Sequence, residues 1–482
     1  MTPPTIVWFR ADLRMSDHAA LDDAARRGPV VPLYVLESEG TGTRFPGAAS
    51  RWWLAGSLEA LGRSLAAAGS PLVLRRGEAL AVLRAVIAET GARRVVWLRR
   101  YDPEGMETDR AVKAALRAEG IEVESFAGNL LCEGLTLKGR EGKPIKVFSP
   151  FWRAAMAVVR ADRPLPAPAR LSPPATPPAT DDPAAWALRP TTPDWADGMR
   201  EAWTPGEGAA QDRLLAFLDR RVGGYKAERD LPGTEATSRL SPHLRWGEIS
   251  PRQILYATRS AAESEPGIAT AAEKFLSEVG WREFSWHLLI HNPTLPTAPM
   301  NPRFAQFPWA DDPAGLRTWT RGRTGYPVVD AGMRELWRTG WMHNRVRMIA
   351  ASFLVKDLLV PWQTGEAWFW DTLVDADPAN NPASWQWVAG CGADAAPYFR
   401  IFNPVLQGEK FDPAGTYVRR WNPELSRLPD RWIHRPWEAP AGDLAAAGVR
   451  PGETYPRRVV DHSVARDRAL AAFQSLKGEA RP

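Results

Sequence analysis

The densest cluster of reactive groups is Asp375-Ala376-Asp377-Pro378-Ala379-Asn380-Asn381, which runs on to Trp385-Gln386-Trp387. Paired carboxylates with amides close behind form either a cation loop or an Asx-rich turn. The tight-turn glycine and the distal glutamate of a calcium loop are both missing, which argues against calcium. Carboxylates also suit a ligand with N–H donors, such as the uracil-like edge of a flavin ring. A second cluster, Thr237-Ser238-Arg239-Leu240-Ser241-Pro242, sets hydroxyls and backbone N–H groups ahead of a helical segment. Such a cluster can cradle a pyrophosphate without a glycine-rich loop, or serve as an ordinary cap and turn. A third lies on the helix from Met342. There Val346, Ile349, Ala350, Phe353 and Leu354 form a core stripe, while Asn344, Arg347 and Met348 fall off it. Asn344 and Met348 are one turn apart, on solvated surface or at a site.

These groups need elements to position them. Thr5–Phe9, Pro29–Leu36, Leu72–Leu74, Val95–Leu98 and Ile121–Phe126 read as strands, with helical stretches at Arg51–Ala68, Leu80–Glu89 and Met106–Ala118 between them. Strands alternating with helices predict right-handed crossovers and an α/β, doubly wound parallel sheet. No G-x-G-x-x-G follows any of these strands, so the dinucleotide fingerprint is absent. This α/β domain is placed at residues 1–130 and an interdomain linker at 131–203, Pro-rich and Ala-rich over about 160–195. Such composition lacks the periodicity of a packed element and favours extended geometry over the surface. From 204 to 482 the pattern is all-helical, clearest at Gln211–Arg221, Pro251–Ser260, Ala271–Ile290, Val328–Arg338, Met342–Leu359 and Glu366–Val374.

Composition narrows the function classes. The formal charge of +5 permits a polyanionic partner without demanding one. Two cysteines, Cys132 and Cys391, make neither a disulfide framework nor a zinc site and fit a reducing cytoplasm. No secretory signal and no apolar run of membrane-spanning length is visible. The unusual feature is 23 tryptophans. Each needs a large cavity and an N–H partner. Most belong to the core, and some are available to stack on bases or a flavin, or to carry electrons.

Six motifs fix the reading: Thr237–Pro242, Trp281-Arg282-Glu283-Phe284, Thr324–Asp330, Gly340–Arg345, Asp375–Trp387 and Asp394–Pro404. Their order and spacing resemble the DNA photolyase/cryptochrome family, most closely its bacterial cyclobutane pyrimidine dimer photolyases. Trp8–Arg14 is similar to the family's opening. The resemblance spans nearly the whole chain apart from the Pro-rich linker and the C-terminal tail.

The resemblance implies a helical domain that binds FAD, folded into a U. Carried over by motif, Tyr225 and Thr237, Ser238, Arg239, Leu240 and Ser241 hold the phosphates. Asp375 and Asp377 contact the isoalloxazine and ribose region, and Arg347 pairs with Asp375. Asn381 faces flavin N5; its amide cannot titrate, which suits repair better than signalling. Trp385, Trp362 and Trp309 match the family's electron-carrying chain. On the DNA side, a flipped-out pyrimidine dimer lies between Trp281 and Trp387, beside Asn344 and Met348. Glu278 bonds the dimer carbonyls, either protonated or through N–H groups. Arg229, Arg282, Arg345 and Gln407 touch phosphate or backbone. Enzymes for the six-four photoproduct carry two histidines where Asn344 and Met348 stand, so the cyclobutane dimer is the implied lesion. Neighbouring His343 is assigned a structural role. The expected product of the gene is a monomeric carbon–carbon lyase; a blue-light receptor of the same fold is the alternative. The antenna pigment is less determined. Pro296 and Thr297 replace the Cys-Lys pair of one folate-binding branch, and Arg100 stands where deazaflavin binders tend to have an acid. Ser50–Leu54 resembles a branch in which methenyltetrahydrofolate is usual, which suggests folate as the antenna and leaves a different pigment, or none, as open alternatives.

Overall fold

The computed structural model describes residues 2–37, 44–134, 136–139, 142–394 and 399–478; the stretch 395–398 of the last motif lies outside them. Five strands, β1 (Thr5–Phe9), β2 (Val30–Leu36), β3 (Val73–Arg76), β4 (Arg94–Leu98) and β5 (Glu122–Phe126), form one parallel sheet in the order β3-β2-β1-β4-β5. β1 pairs with both β2 and β4, Thr5 lying opposite Val30 on one side and Arg94 on the other. The central strands are buried along their whole length, as their continuous Val, Ile, Leu and Trp content requires when helices cover both faces. The chain therefore starts mid-sheet, winds out through β3, returns and winds out through β5. That reversal creates a crevice at the carboxyl ends of β1 and β4.

Two parts of the fold depart from the sequence expectation. A helix at Ala19–Arg27, capped by His18, precedes β2; its buried face is only Ala20, Leu21 and Ala24, too small to register as a stripe. The linker placed at 131–203 carries helices on either side of its Pro-rich stretch. Phe148–Val158 is a helix that packs against the long Ala269–His291 helix through Phe151 and Phe284, and Asp197–Ala202 is a second, shorter one. The Pro-rich stretch does lie over the sheet domain. Its backbone bonds that domain at Leu165, Leu171, Ser172 and Asp181, and Trp186 is buried against Tyr34.

Among the described residues beyond 204, every regular element is helical. The expected Met342–Leu359 helix divides: His343 caps an α-helix at Asn344–Ser352, which continues as a π-helical turn at Phe353–Asp357. The two halves are locked by buried polar bonds. The Arg14 guanidinium donates to the carbonyls of Asp17 and Gly128 in the sheet half and Gly247 in the helical half. The Asp17 carboxylate accepts from Arg252, and Glu248 accepts from the Trp53 indole. No described helix is long and apolar enough to cross a membrane.

Candidate active site

Asp375 is the hub of the helical half. Its loop is pinned where Val374 N–H donates to the Gly340 carbonyl at 2.8 Å. Asp375 Oδ2 accepts from Arg347 Nη2 at 2.8 Å and Ser241 Oγ at 2.6 Å. Arg347 is itself aimed by a 2.7 Å bond from Nε to the Met342 carbonyl. Asp375 Oδ1 is buried and receives no donor from the described residues. A buried carboxylate oxygen left unbonded costs about 1–3 kcal/mol, so a donor from outside the chain is expected there. An N–H-bearing ring edge meets that need.

The tandem partner Asp377 has other work. Its Oδ1 accepts from the backbone N–H of Ala379 and Asn380 and from Asn380 Nδ2, which caps the Asn380–Ala389 helix. It also borders the interdomain cleft. The tandem spacing therefore puts two carboxylates into two surroundings.

Asn381, on the first turn of that helix, donates through Nδ2 to the Glu366 carbonyl at 3.1 Å and the Glu366 carboxylate at 2.8 Å. Both partners are acceptors, which fixes the amide orientation. No described residue donates to Asn381 Oδ1. Glu366 is held in turn by Arg44 at 2.7 and 3.0 Å. Neither partner was identifiable from the sequence, because Glu366 is 15 residues and Arg44 more than 300 residues away from Asn381.

The hydroxyl cluster Thr237, Ser238 and Ser241 borders the short Ser241–Trp246 helix, with Leu240 buried as its N-cap. Arg239 adopts a left-handed backbone (φ 51°) and lies between the Trp203 and Trp341 rings, 4.7 and 4.6 Å from their centroids. Its Nε is buried without an acceptor. Trp341 also donates to Ser241 Oγ at 3.3 Å, a contact the Gly340–Arg345 motif did not reveal. Tyr225 is buried edge-on to Phe217 and Phe275, and burial pushes its phenol well above the ordinary range.

Trp385 and Trp362 are buried and Trp309 half-buried, all three in or against one hydrophobic cluster. Trp385 meets Phe369 at 5.0 Å and Trp319 at 6.2 Å. Gly365 lets the indole approach: a Cβ there would stand 2.2 Å from Trp385 Cη2.

On the Ala269–His291 helix, Glu278 and Trp281 share a face. The Glu278 carboxylate accepts from the Arg229 guanidinium and, at 2.7 Å, from Lys274 one turn earlier. Of the two expected arrangements, the protein supplies N–H groups on the carboxylate. Arg229 is thereby turned toward Glu278, not outward. Arg282 is also turned inward: it donates to the Asn129 carbonyl and pairs with Glu283, bordering the cleft instead of the Trp281 face. Arg345 pairs with Asp230 at 2.7 Å and lies over Phe411. Gln407 Oε1 is buried without a partner. Asn344 is exposed and Met348 half-buried on the neighbouring helix, while His343 is buried as its cap, its pKa lowered by burial to about 4. Arg229 and Arg282, read from the sequence as phosphate or backbone contacts, are each paired with a carboxylate of the Ala269–His291 helix, the half-buried Glu278 and the buried Glu283.

The interdomain cleft, a cavity of about 130 Å³ open to solvent, sits at the strand ends. Arg10, Glu37, Arg100, Tyr101 and Asn129 line it from the sheet half, and Arg245, Trp286 and Trp370 from the helical half.

Residues 275–475 match the family described as FAD binding domain of DNA photolyase, and residues 5–169 match DNA photolyase. A deoxyribodipyrimidine photo-lyase of Agrobacterium fabrum is 52% identical over 477 residues, covering 99% of this chain and 98% of that protein. Cryptochrome-2 of Arabidopsis thaliana is 40% identical, covering 99% of this chain and 80% of its own. The crystal structure of a bacterial class III photolyase from Agrobacterium tumefaciens superimposes with a TM-score of 0.95 at 51% identity, covering 99% and 98% of the two chains. With the sheet, the helical half and both match regions in agreement, the chain belongs to the DNA photolyase/cryptochrome family.

Proposed function

We propose that this protein is a deoxyribodipyrimidine photolyase that repairs cyclobutane pyrimidine dimers in DNA by light-driven electron transfer. When bound and reduced, FAD would supply light absorption and the one electron, lent and then returned, that opening the cyclobutane bonds requires. The chain's residues supply geometry and electrostatics. Asp375, oriented by Arg347 and Ser241, offers its unbonded oxygen to a ring N–H. Asn381, with both amide protons directed to Glu366, offers an oxygen that accepts an N–H and cannot release a proton. That fixed amide is the observation that carries the repair reading. Thr237, Ser238, Arg239 and Ser241 offer hydroxyls and a cation to the phosphates, with Leu240 shaping the turn and Tyr225 supporting it. Trp385, Trp362 and Trp309 carry electrons inward to restore the reduced state.

A dimer inside a duplex is out of reach of a buried ring and must be extruded, at a cost of a few kcal/mol that is lower for a lesion with poor stacking. Trp281 and Trp387 form the apolar walls for the extruded pair, with Met348 and Asn344 beside them. Glu278, held by Arg229 and Lys274, is positioned to bond the dimer. Arg345, Gln407 and Arg282 remain candidates for strand contacts, giving salt dependence without sequence specificity. Folate is the antenna we assign to the cleft, whose lining includes Arg10, Tyr101 and Trp286. The protein is taken to act as a cytoplasmic monomer, in keeping with its two free cysteines.

The test is a dimer-bearing single-stranded oligonucleotide incubated with holoprotein in blue light and in darkness. Loss of dimers only in light supports photolyase activity. Light-dependent change in the flavin with no loss of dimers would instead support the receptor reading, which the 40% identity to a cryptochrome keeps in view.

A further inference from the structure

The two aromatic walls are joined to each other by residues outside both helices that carry them. The Trp281 ring lies parallel to Phe148, with centroids 3.9 Å apart and planes 7° from coplanar, and Phe148 stacks in turn on Trp152 at 6.5 Å and 10°. Trp152 fits flush against the helix because Gly280 precedes Trp281; a Cβ at Gly280 would stand 2.5 Å from the Trp152 ring. On the other side, the Trp387 indole donates to the Asp394 carbonyl at 3.1 Å, while the Asp394 carboxylate accepts the backbone N–H of Phe148 at 3.3 Å. Asp394 does this from a left-handed backbone (φ 51°), a conformation that is uncommon for a residue other than glycine. A continuous chain of contacts thus runs Trp281–Phe148–Asp394–Trp387.

We propose that Phe148 and Asp394 are positioning residues that set the separation and tilt of Trp281 and Trp387, and so select a joined pair of pyrimidines over ordinary bases. This rests on the lesion-binding reading of those two tryptophans. Stacking on Phe148 holds the Trp281 plane, and the Asp394 bridge holds Trp387 at a fixed distance from it. An extruded dimer then meets walls already in place instead of ordering two large side chains itself, which preserves affinity. The helix Phe148–Val158 becomes part of the recognition apparatus, although it lies before the Pro-rich run.

Dark binding of holoprotein to matched oligonucleotides with and without one cyclobutane dimer tests this. Phe148→Ala is expected to weaken dimer binding about 3- to 10-fold, the scale of one aromatic pair, with lesion-free binding and flavin content unchanged. Phe148→Tyr, which keeps the stack, should restore discrimination. Asp394→Gly keeps the carbonyl and relieves the backbone but deletes the carboxylate, so it should lose discrimination; Asp394→Asn should retain it. Wild-type discrimination left intact by both Phe148→Ala and Asp394→Gly would overturn the proposal, as would an equal loss on damaged and undamaged DNA. A wild-type protein that does not discriminate in the dark would overturn the lesion reading of Trp281 and Trp387, and this inference with it.

Discussion

The site around Asp375 and the cleft at the strand ends are built on opposite plans. Around Asp375 the side chains are aimed by second partners: Arg347 by Met342, Asn381 by Glu366, Glu278 by Lys274. At their centre Asp375 keeps one buried oxygen with no donor from the described residues. In the cleft the charges mostly answer one another, as with Arg100, which pairs with Asp102 at 2.5 Å and faces Glu37 at 3.6 Å. A group that exchanges electrons with substrate must be held to fractions of an ångström. A pigment that only passes on excitation tolerates a lining assembled from mutually satisfied pairs. One protein can thus keep one region strict and let another vary.

The largest effect that could break this contrast is at Asp375. Asp375→Ala removes the acceptor and leaves Arg347 unpaired, a loss of several kcal/mol. The purified protein should carry less than about a tenth of the wild-type flavin. Visible absorbance against protein concentration reads this, and near-normal loading would show that the hub is dispensable. Next is Glu278→Gln, for which we expect dimer splitting under saturating light to fall about tenfold or more, as when one preorganised electrostatic contact is lost. Flavin loading should stay normal, which separates this effect from the first. Trp385→Phe should slow photoreduction of the oxidised flavin by at least about tenfold, since Phe is a far poorer electron carrier; transient absorption measures it.

Smaller still is a pH effect at the wall between the two regions. Glu283 accepts from the Leu131 and Cys132 N–H groups and from Arg282, yet burial raises its pKa to about 7. Below the ordinary range near 4.5 both folded and unfolded forms carry the proton. Between there and about 7 only the unfolded chain ionises, so stability falls as pH rises through that window and levels off above it. Glu283→Gln should flatten this part of the profile in chemical denaturation from pH 5 to 8; an unchanged slope would mean other groups cause it. The smallest effect is in the cleft. Asn129 Oδ1 is buried there without a donor. If the cleft holds the proposed antenna, Asn129→Ala should reduce its occupancy about threefold, a fraction of one hydrogen bond, while repair per photon absorbed by the flavin stays the same.

How much was legible in the sequence follows from how local each feature is. The three central strands were readable because burial on both faces demands continuous apolar runs, and the edge strands because short apolar stretches recur between helical ones. The Pro-rich course over the surface was readable because proline removes the donors that packing needs. The Ala19–Arg27 helix and the helix at Phe148–Val158 were not, since the first buries only three small or medium side chains and the second owes its stability to aromatic stacking against a helix far along the chain. Among site residues, Asp375, Asn381, Trp281 and Trp387 carry their chemistry in their types and order. Their partners do not.

The sequence by itself determined the reagents: an acceptor pair, a fixed amide, an excess of indoles, and the order in which they occur. Only the tertiary structure decided that Asp375 and Asp377 part company, that Arg229 and Arg282 turn inward to carboxylates, and that Phe148 and Asp394 connect the two tryptophan walls. Side-chain type sets what an atom can donate or accept. Which partner it meets depends on contacts between segments hundreds of residues apart, and those form only when the helices pack.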